Sequence, residues 1–143
     1  RLRSGTLGRM ERRTPQRTAI EEALREAGRP LTPQELLELS RARVGSINLA
    51  TIYRTLKMLT DAGDAVSVHI PGEPPRFEAA HIGHHHHFRC DECGRVFDIT
   101  GCTGSMASLV PPGFKVREHE ITLFGTCAEC GKEPPGGAGT DRR

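Results

Sequence analysis

Apolar residues recur at helical spacing three times within the first 63 positions. Ala19, Ile20, Ala23, Leu24 and Ala27 share one face of a first helix. Thr14 stands ahead of them as a cap, and Pro15 suits the first helical position because its missing N–H would find no partner there anyway. Gly28 ends the run. "TPQE" opens a second helix, with Thr32 and Glu35 as a capping box around Pro33 and Leu36, Leu37 and Leu39 on its apolar side. A third runs through "LATIYRTLKMLTDAG" to Gly63, placing Leu49, Ile52, Leu56 and Leu59 inward and Tyr53, Arg54 and Lys57 outward. "AVSVHI", the turn "PGEPP" and "RFEA" then read as a two-stranded wing. Together these outline a winged helix-turn-helix over residues 14–78; a plain helical bundle shares the helical part of the pattern.

Beyond the wing the periodicity changes. "HHFRC" and "RVFDIT" are predicted strands joined through a cysteine turn, and "TGSMASLV" is a weak helix candidate. "FKVREHEITLFGTC" is a predicted long strand with a bend near Glu118, which turns His119 inward with Ile121 and Leu123. The chain is therefore expected to be α+β: an arm over 1–13, the winged-helix domain over 14–78, a hinge over 79–83, a small α/β domain over 84–130 and a Pro/Gly-rich, disordered tail over 131–143.

Composition alters this picture in two respects. Aromatic residues are only 4% of the chain and tryptophan is absent, so the core is thin and calls for a metal, an oligomer interface or both. The formal charge of +2 conceals an uneven distribution: six arginines against Glu11 alone in residues 1–17, and a net negative remainder. A basic arm on such a body suits a polyanionic partner. No apolar run approaches a membrane span and no signal segment follows the arginines, which points to a cytoplasmic protein. Five cysteines, an odd number, argue against a disulfide framework.

The cysteines carry the first chemistry. Cys90 and Cys93 in "CDECG" and Cys127 and Cys130 in "CAECG" are two glycine-flanked Cys-x-x-Cys knuckles, which together complete a tetrahedron of thiolates for a structural zinc ion. Redox dithiols are the rival reading, disfavoured by the doubling. The run "HHHH" carries the second. On a strand His85 and His87 point one way and His84 and His86 the other, so one segment can serve two centres. Glu78, His69, His81, Asp98 and His119 are further nitrogen and oxygen donors nearby. Imidazole and carboxylate without sulfur suit iron(II), manganese(II), nickel(II) or zinc(II). Cys102 is left over, either a passive loop residue or an extra ligand.

In combination, "RRTPQR", "NLATIYRTLKMLTDAG", "RFEAA", "HHHHFRCDECGRVFDI" and "HEITLFGTCAEC" resemble the ferric uptake regulator family of metal-sensing repressors over about residues 12 to 131. The resemblance implies a winged helix, a C-terminal α/β dimerisation domain, and metal-driven closure of a homodimer onto palindromic double-stranded operator DNA. It places the structural zinc on Cys90, Cys93, Cys127 and Cys130, a regulatory metal on Glu78, His85 and His87, and a second metal on His84, His86 and His119. The acidic member of that second set has no counterpart here; Asp98 and Cys102 lie near the gap. Two departures stand out. Pro30 occupies the place of a family histidine, so His69 or His81 is expected to replace that donor, and Ala79 stands where zinc sensors of the family often carry cysteine.

The implied function is a metal-responsive repressor of metal-homeostasis genes, not an enzyme. Its corepressor is iron(II) or manganese(II), and its operator is A/T-rich. Arg13, Arg17, Thr51, Tyr53, Arg54 and Lys57 are the expected DNA contacts. A zinc-uptake regulator and a peroxide sensor are alternatives within the family. A metal-buffering protein and a zinc hydrolase are alternatives outside it.

Overall fold

The structure is a computed structural model that describes residues 14–80 and 83–132. Arg13, His81, Ile82 and residues 133–143 lie outside the described residues, as do the expected arm and almost all of the expected tail.

Three helices form the N-terminal half: α1 (Pro15–Ala27), α2 (Pro33–Val44) and α3 (Leu49–Ala62). Each begins where a side chain satisfies an otherwise orphaned amide. Thr14 accepts from the Arg17 N–H, Thr32 and Glu35 form the reciprocal capping box, and Asn48 accepts from the Thr51 N–H. Gly28 and Gly63 end α1 and α3 in the left-handed region, at φ 59° and 78°. Ile20, Leu24, Leu36, Leu37, Ile52, Leu56 and Leu59 interlock as the core. Leu39 and Leu49 do not join it, and both are exposed. The buried face of α2 is Leu36, Leu37 and Ser40, and Leu39 projects about 110° from its centre. Leu49 sits in the first turn of α3, at the rim of the core.

The wing is an antiparallel pair, β1 (Ala65–Val68) and β2 (Arg76–Ala79), with Ala65 opposite Ala79 and Val66 opposite Glu78. Leu31 and Phe77 exchange two 2.8 Å backbone bonds, which fasten the α1–α2 connection to β2. Pairing runs into the segment expected as a hinge: Ala79 belongs to β2, and the Ala80 N–H donates to the Asp64 carbonyl.

The C-terminal half is a three-stranded sheet of β3 (His86–Cys90), β4 (Val96–Ile99) and β5 (Thr122–Gly125), in the order β4-β3-β5. β4 is antiparallel to β3, whereas β5 is parallel to it. The long strand expected from Phe114 shrinks to these four residues of β5, because only they reach the edge of β3. Leu123 is half exposed rather than inward. The helix expected in "TGSMASLV" is a single 3-10 turn, Ala107–Leu109, after Gly104 takes a positive φ.

The two halves touch through a small apolar cluster, Val68, Ile70 and Val96, and through a chain of charges. Arg76 of β2 donates to the Gly94 carbonyl at 2.8 Å and pairs with Glu73, while Arg89 of β3 pairs with Glu73 from the other side at 2.6 Å. No helix among the described residues is long and apolar enough to cross a membrane.

Candidate metal centres and nucleic-acid face

The parallel pairing of β3 and β5 places Cys90 opposite Gly125, so the chain two residues later brings Cys127 onto Cys90. Gly125 permits that approach: a Cβ there would lie 3.2 Å from the Phe88 ring. The Cys127 N–H donates to Cys90 Sγ at 3.3 Å, and Cys93 Sγ lies 4.0 Å from Cys127 Sγ. Gly94, at φ 72°, closes the first knuckle. All four sulfurs of Cys90, Cys93, Cys127 and Cys130 lie within 4.8 Å of one another. Zinc–sulfur bonds of about 2.3 Å require tetrahedral edges of about 3.8 Å, so slight contraction of this cluster fits the ion. Backbone amides of Cys93 and Cys127 pull the Cys90 thiol down to about 6, whereas the Cys127 sulfur and burial push Cys130 up to about 12. Neighbouring sulfurs thus compete for negative charge, which a dication would relieve.

A second cluster spans the two halves. Glu78 arrives from β2, His85 from the residue just before β3, His87 from β3, and Asp98 from β4. Their donor atoms all lie within 4.8 Å of one another. His85 Nδ1 bonds the Gly83 carbonyl at 2.7 Å, which turns Nε2 toward Glu78 Oε1, 2.8 Å away. His87 Nε2 lies 3.5 Å from both Glu78 and Asp98. Glu78 is buried, and Glu78 Oε2, His87 Nε2 and Asp98 Oδ1 are buried with no hydrogen-bond partner among the described residues. Burial and the neighbouring Glu78 raise Asp98 to about 6. Burial also opposes charge on Glu78, but contacts from His87, Asp98 and His85 outweigh it and lower its pKa. Burial opposes charge on His85 too, and the Gly83 carbonyl and Glu78 outweigh it, raising its pKa. Two carboxylates this close call for positive charge between them, which a dication would supply.

This arrangement corrects the sequence expectation for Asp98. It stands directly opposite His87 in the β3–β4 register, so both side chains share a face and Asp98 joins Glu78, His85 and His87 instead of the other histidines. The hairpin spacing was the signal available for this. Asp98 is the fourth convergent donor of that cluster, the place for which His69 or His81 was expected. His69 is exposed and lines a cavity of about 280 Å³ beside the cluster, together with Glu120, but is not among the four convergent donors.

On the opposite face of β3, His84, His86, His119 and Cys102 converge within 4.8 Å. Cys102 Sγ lies 3.2 Å from His119 Nε2. Residues 103–118 fold back between them with the 3-10 turn Ala107–Leu109 as their regular structure, and no sequence periodicity announces that contact.

On α3, Tyr53, Arg54 and Lys57 are exposed. Arg54 donates to the Thr51 hydroxyl at 3.3 Å, which in turn bonds Asn48 at 3.1 Å, so the cap and the guanidinium form one polar row. Lys57 pairs with Asp61. Arg17 is turned back instead: its guanidinium bonds Glu21 at 2.8 Å and touches Met58 Sδ, so a phosphate contact there requires it to reorient.

Known proteins resemble this chain in sequence and fold. The family model described as "Ferric uptake regulator family" matches residues 9–124. The chain is 32% identical over 130 residues to the ferric uptake regulation protein of Bacillus subtilis, covering 84% of this chain and 86% of that one. It is 28% identical over 125 residues to the protein of the same name from Campylobacter jejuni, covering 84% and 80%. Among solved structures, a zinc-bound manganese uptake regulator superposes with a TM-score of 0.70 at 26% identity, over 81% of this chain and 90% of that one.

Proposed function

Because this chain belongs to the ferric uptake regulator family, we propose that it is a metal-responsive, DNA-binding transcriptional repressor of metal-homeostasis genes, with iron(II) or manganese(II) as corepressor. The observation that supports this best is the convergence of Glu78 with His85, His87 and Asp98. Glu78 is the only one of the four carried by the wing; the other three belong to the C-terminal half. All four reach one point only when the wing docks on the sheet, so occupancy and docking are linked. A bound dication neutralises the two carboxylates there, and the imidazole–carboxylate donor set without sulfur suits iron or manganese.

Each of this chain's residues then has a role. Gly83 orients His85 through its carbonyl, and Asp98 holds His87 across the hairpin. Cys90, Cys93, Cys127 and Cys130 hold a structural zinc that ties β5 to β3. Leu109, Phe114, Leu123 and Phe124 are at least half exposed and lie in the C-terminal half, which supports burial against a second copy in a homodimer. Two copies would present two α3 helices to an A/T-rich palindrome, with Thr51, Arg54 and Lys57 on phosphates or base edges and Tyr53 against thymine methyls. Arg13 and the arm would reach the adjoining backbone. The repressor acts in the cytoplasm.

The test is a binding titration of the zinc-loaded protein against an A/T-rich palindromic duplex, at buffered free iron(II), manganese(II), zinc(II) and nickel(II). Iron or manganese should tighten binding tenfold or more, roughly the scale of allosteric couplings, and Glu78→Gln and Asp98→Asn should each remove most of that gain. Tight metal binding with unchanged DNA affinity would make the chain a buffering protein and overturn the proposal.

A further inference from the structure

The face of β3 opposite the Glu78 cluster carries a donor set of another character. His84, His86 and His119 surround one point, with ring centroids 4.6 Å (His84–His86), 4.9 Å (His84–His119) and 5.0 Å (His86–His119) apart. Cys102 completes the group, its sulfur 3.2 Å from His119 Nε2. His86 is buried, at 3% exposure, and its Nε2 has no hydrogen-bond partner among the described residues. A buried ring nitrogen without a partner costs free energy unless something else meets it. The other members leave an open approach: His84 and Cys102 are exposed, and His84 and His119 line a cavity of about 720 Å³.

We propose that Cys102 supplies the missing fourth donor of the site that the family resemblance places on His84, His86 and His119, and that its thiolate makes this site prefer zinc, unlike the Glu78 cluster. Three imidazoles and one sulfur are four donors of the type that zinc takes in tetrahedral geometry, and a thiolate disfavours manganese and other hard cations. No carboxylate among the described residues belongs to the group. The Gly104 N–H points at Cys102 Sγ from 3.4 Å, in the manner of the Cys127 amide that donates to Cys90 in the knuckle. Binding replaces the proton that Cys102 and His119 share, and the thiol proton is released to solvent. It also disturbs His86: in the metal-free arrangement the Ile121 N–H donates to His86 Nδ1 at 3.2 Å. Ligation through Nδ1 displaces that amide. Ligation through Nε2 places the ring proton on Nδ1 and repels it. In both cases the Ile121 amide loses this acceptor.

The inference goes beyond the regulatory reading and does not depend on it, since no DNA is needed to examine it. Cobalt(II) serves as the optical probe. Added to full-length protein whose cysteine knuckles already hold zinc, it should give tetrahedral visible bands and a near-ultraviolet sulfur-to-metal band that Cys102→Ser abolishes and His87→Ala leaves in place. Zinc should displace the cobalt stoichiometrically. Cys102→Ser should weaken zinc binding at this site by at least roughly tenfold, and Cys102→Asp should shift the preference from zinc toward manganese. The Ile121 amide resonance should move on zinc addition in the unmodified chain. A cobalt spectrum without the sulfur band, or zinc affinity and metal preference unchanged in both Cys102 variants, would overturn the proposal.

Discussion

The Arg76 guanidinium donates a 2.8 Å hydrogen bond to the Gly94 carbonyl, joining the second wing strand directly to the first cysteine knuckle. Its side chain is 8% exposed and also meets Glu73 at 3.0 Å and Glu35 at 3.5 Å. One buried cation therefore links the α2 capping box, the wing and the first cysteine knuckle.

Arg76→Met keeps most of the side-chain volume and deletes these bonds. Hydrogen bonds to a charged group contribute about 1.5–3 kcal/mol, so the variant should lose about 2 kcal/mol in urea unfolding of the zinc-loaded protein. Zinc content should not change. An unaltered urea midpoint would mean that the bond adds nothing to docking of the halves.

The same network predicts a pH dependence. Burial raises the Glu35 carboxyl, but the Thr32 amide, Arg29 and Arg76 outweigh it and hold it below its ordinary value of 4.5. A carboxyl depressed in the folded state contributes stability above 4.5, and that contribution disappears as pH falls through the lower folded value. Glu35→Gln should therefore be less stable than the parent at pH 7 and converge with it in strong acid. The partners are partly solvated, so the gap at pH 7 should be about 1 kcal/mol or less. A constant gap across the acid range would assign the effect to packing.

Cys127→Ser removes the sulfur that bridges the two knuckles. It should release one zinc per chain and separate β5 from β3, seen as early loss of amide protection over residues 122–125. Full zinc content with intact protection would show that the four sulfurs do not share an ion.

Arg54→Ala should weaken binding to the palindromic duplex by about 1–3 kcal/mol without changing metal content. Lys57→Ala should weaken binding to all sequences alike and reduce the salt slope by about 1. Equal affinity for both variants would place α3 outside the groove.

The boundaries of the helices were legible because caps act locally. Thr14, Thr32 and Asn48 meet amides three residues away, and Gly28 and Gly63 bend the chain at their own positions. The division of the histidine run between two faces was legible for the same reason, since alternation along a strand is a property of the strand itself. Leu39 and Leu49 were misjudged because helical spacing defines a stripe but not the width that neighbouring elements cover.

Asp98, Cys102 and the truncated final strand belong to a different class. Cysteine and histidine spacing along this chain determined which donors were available and which of them were sisters on one face. Only the tertiary structure decided which sets close. The β3–β4 register carries Asp98 to His87, the irregular return of residues 103–118 carries Cys102 to His119, and docking of the wing carries Glu78 to both His85 and His87. Local patterns come from bonds a few residues long, whereas these three meetings depend on how separate elements settle against one another, information that resides in the packing as a whole.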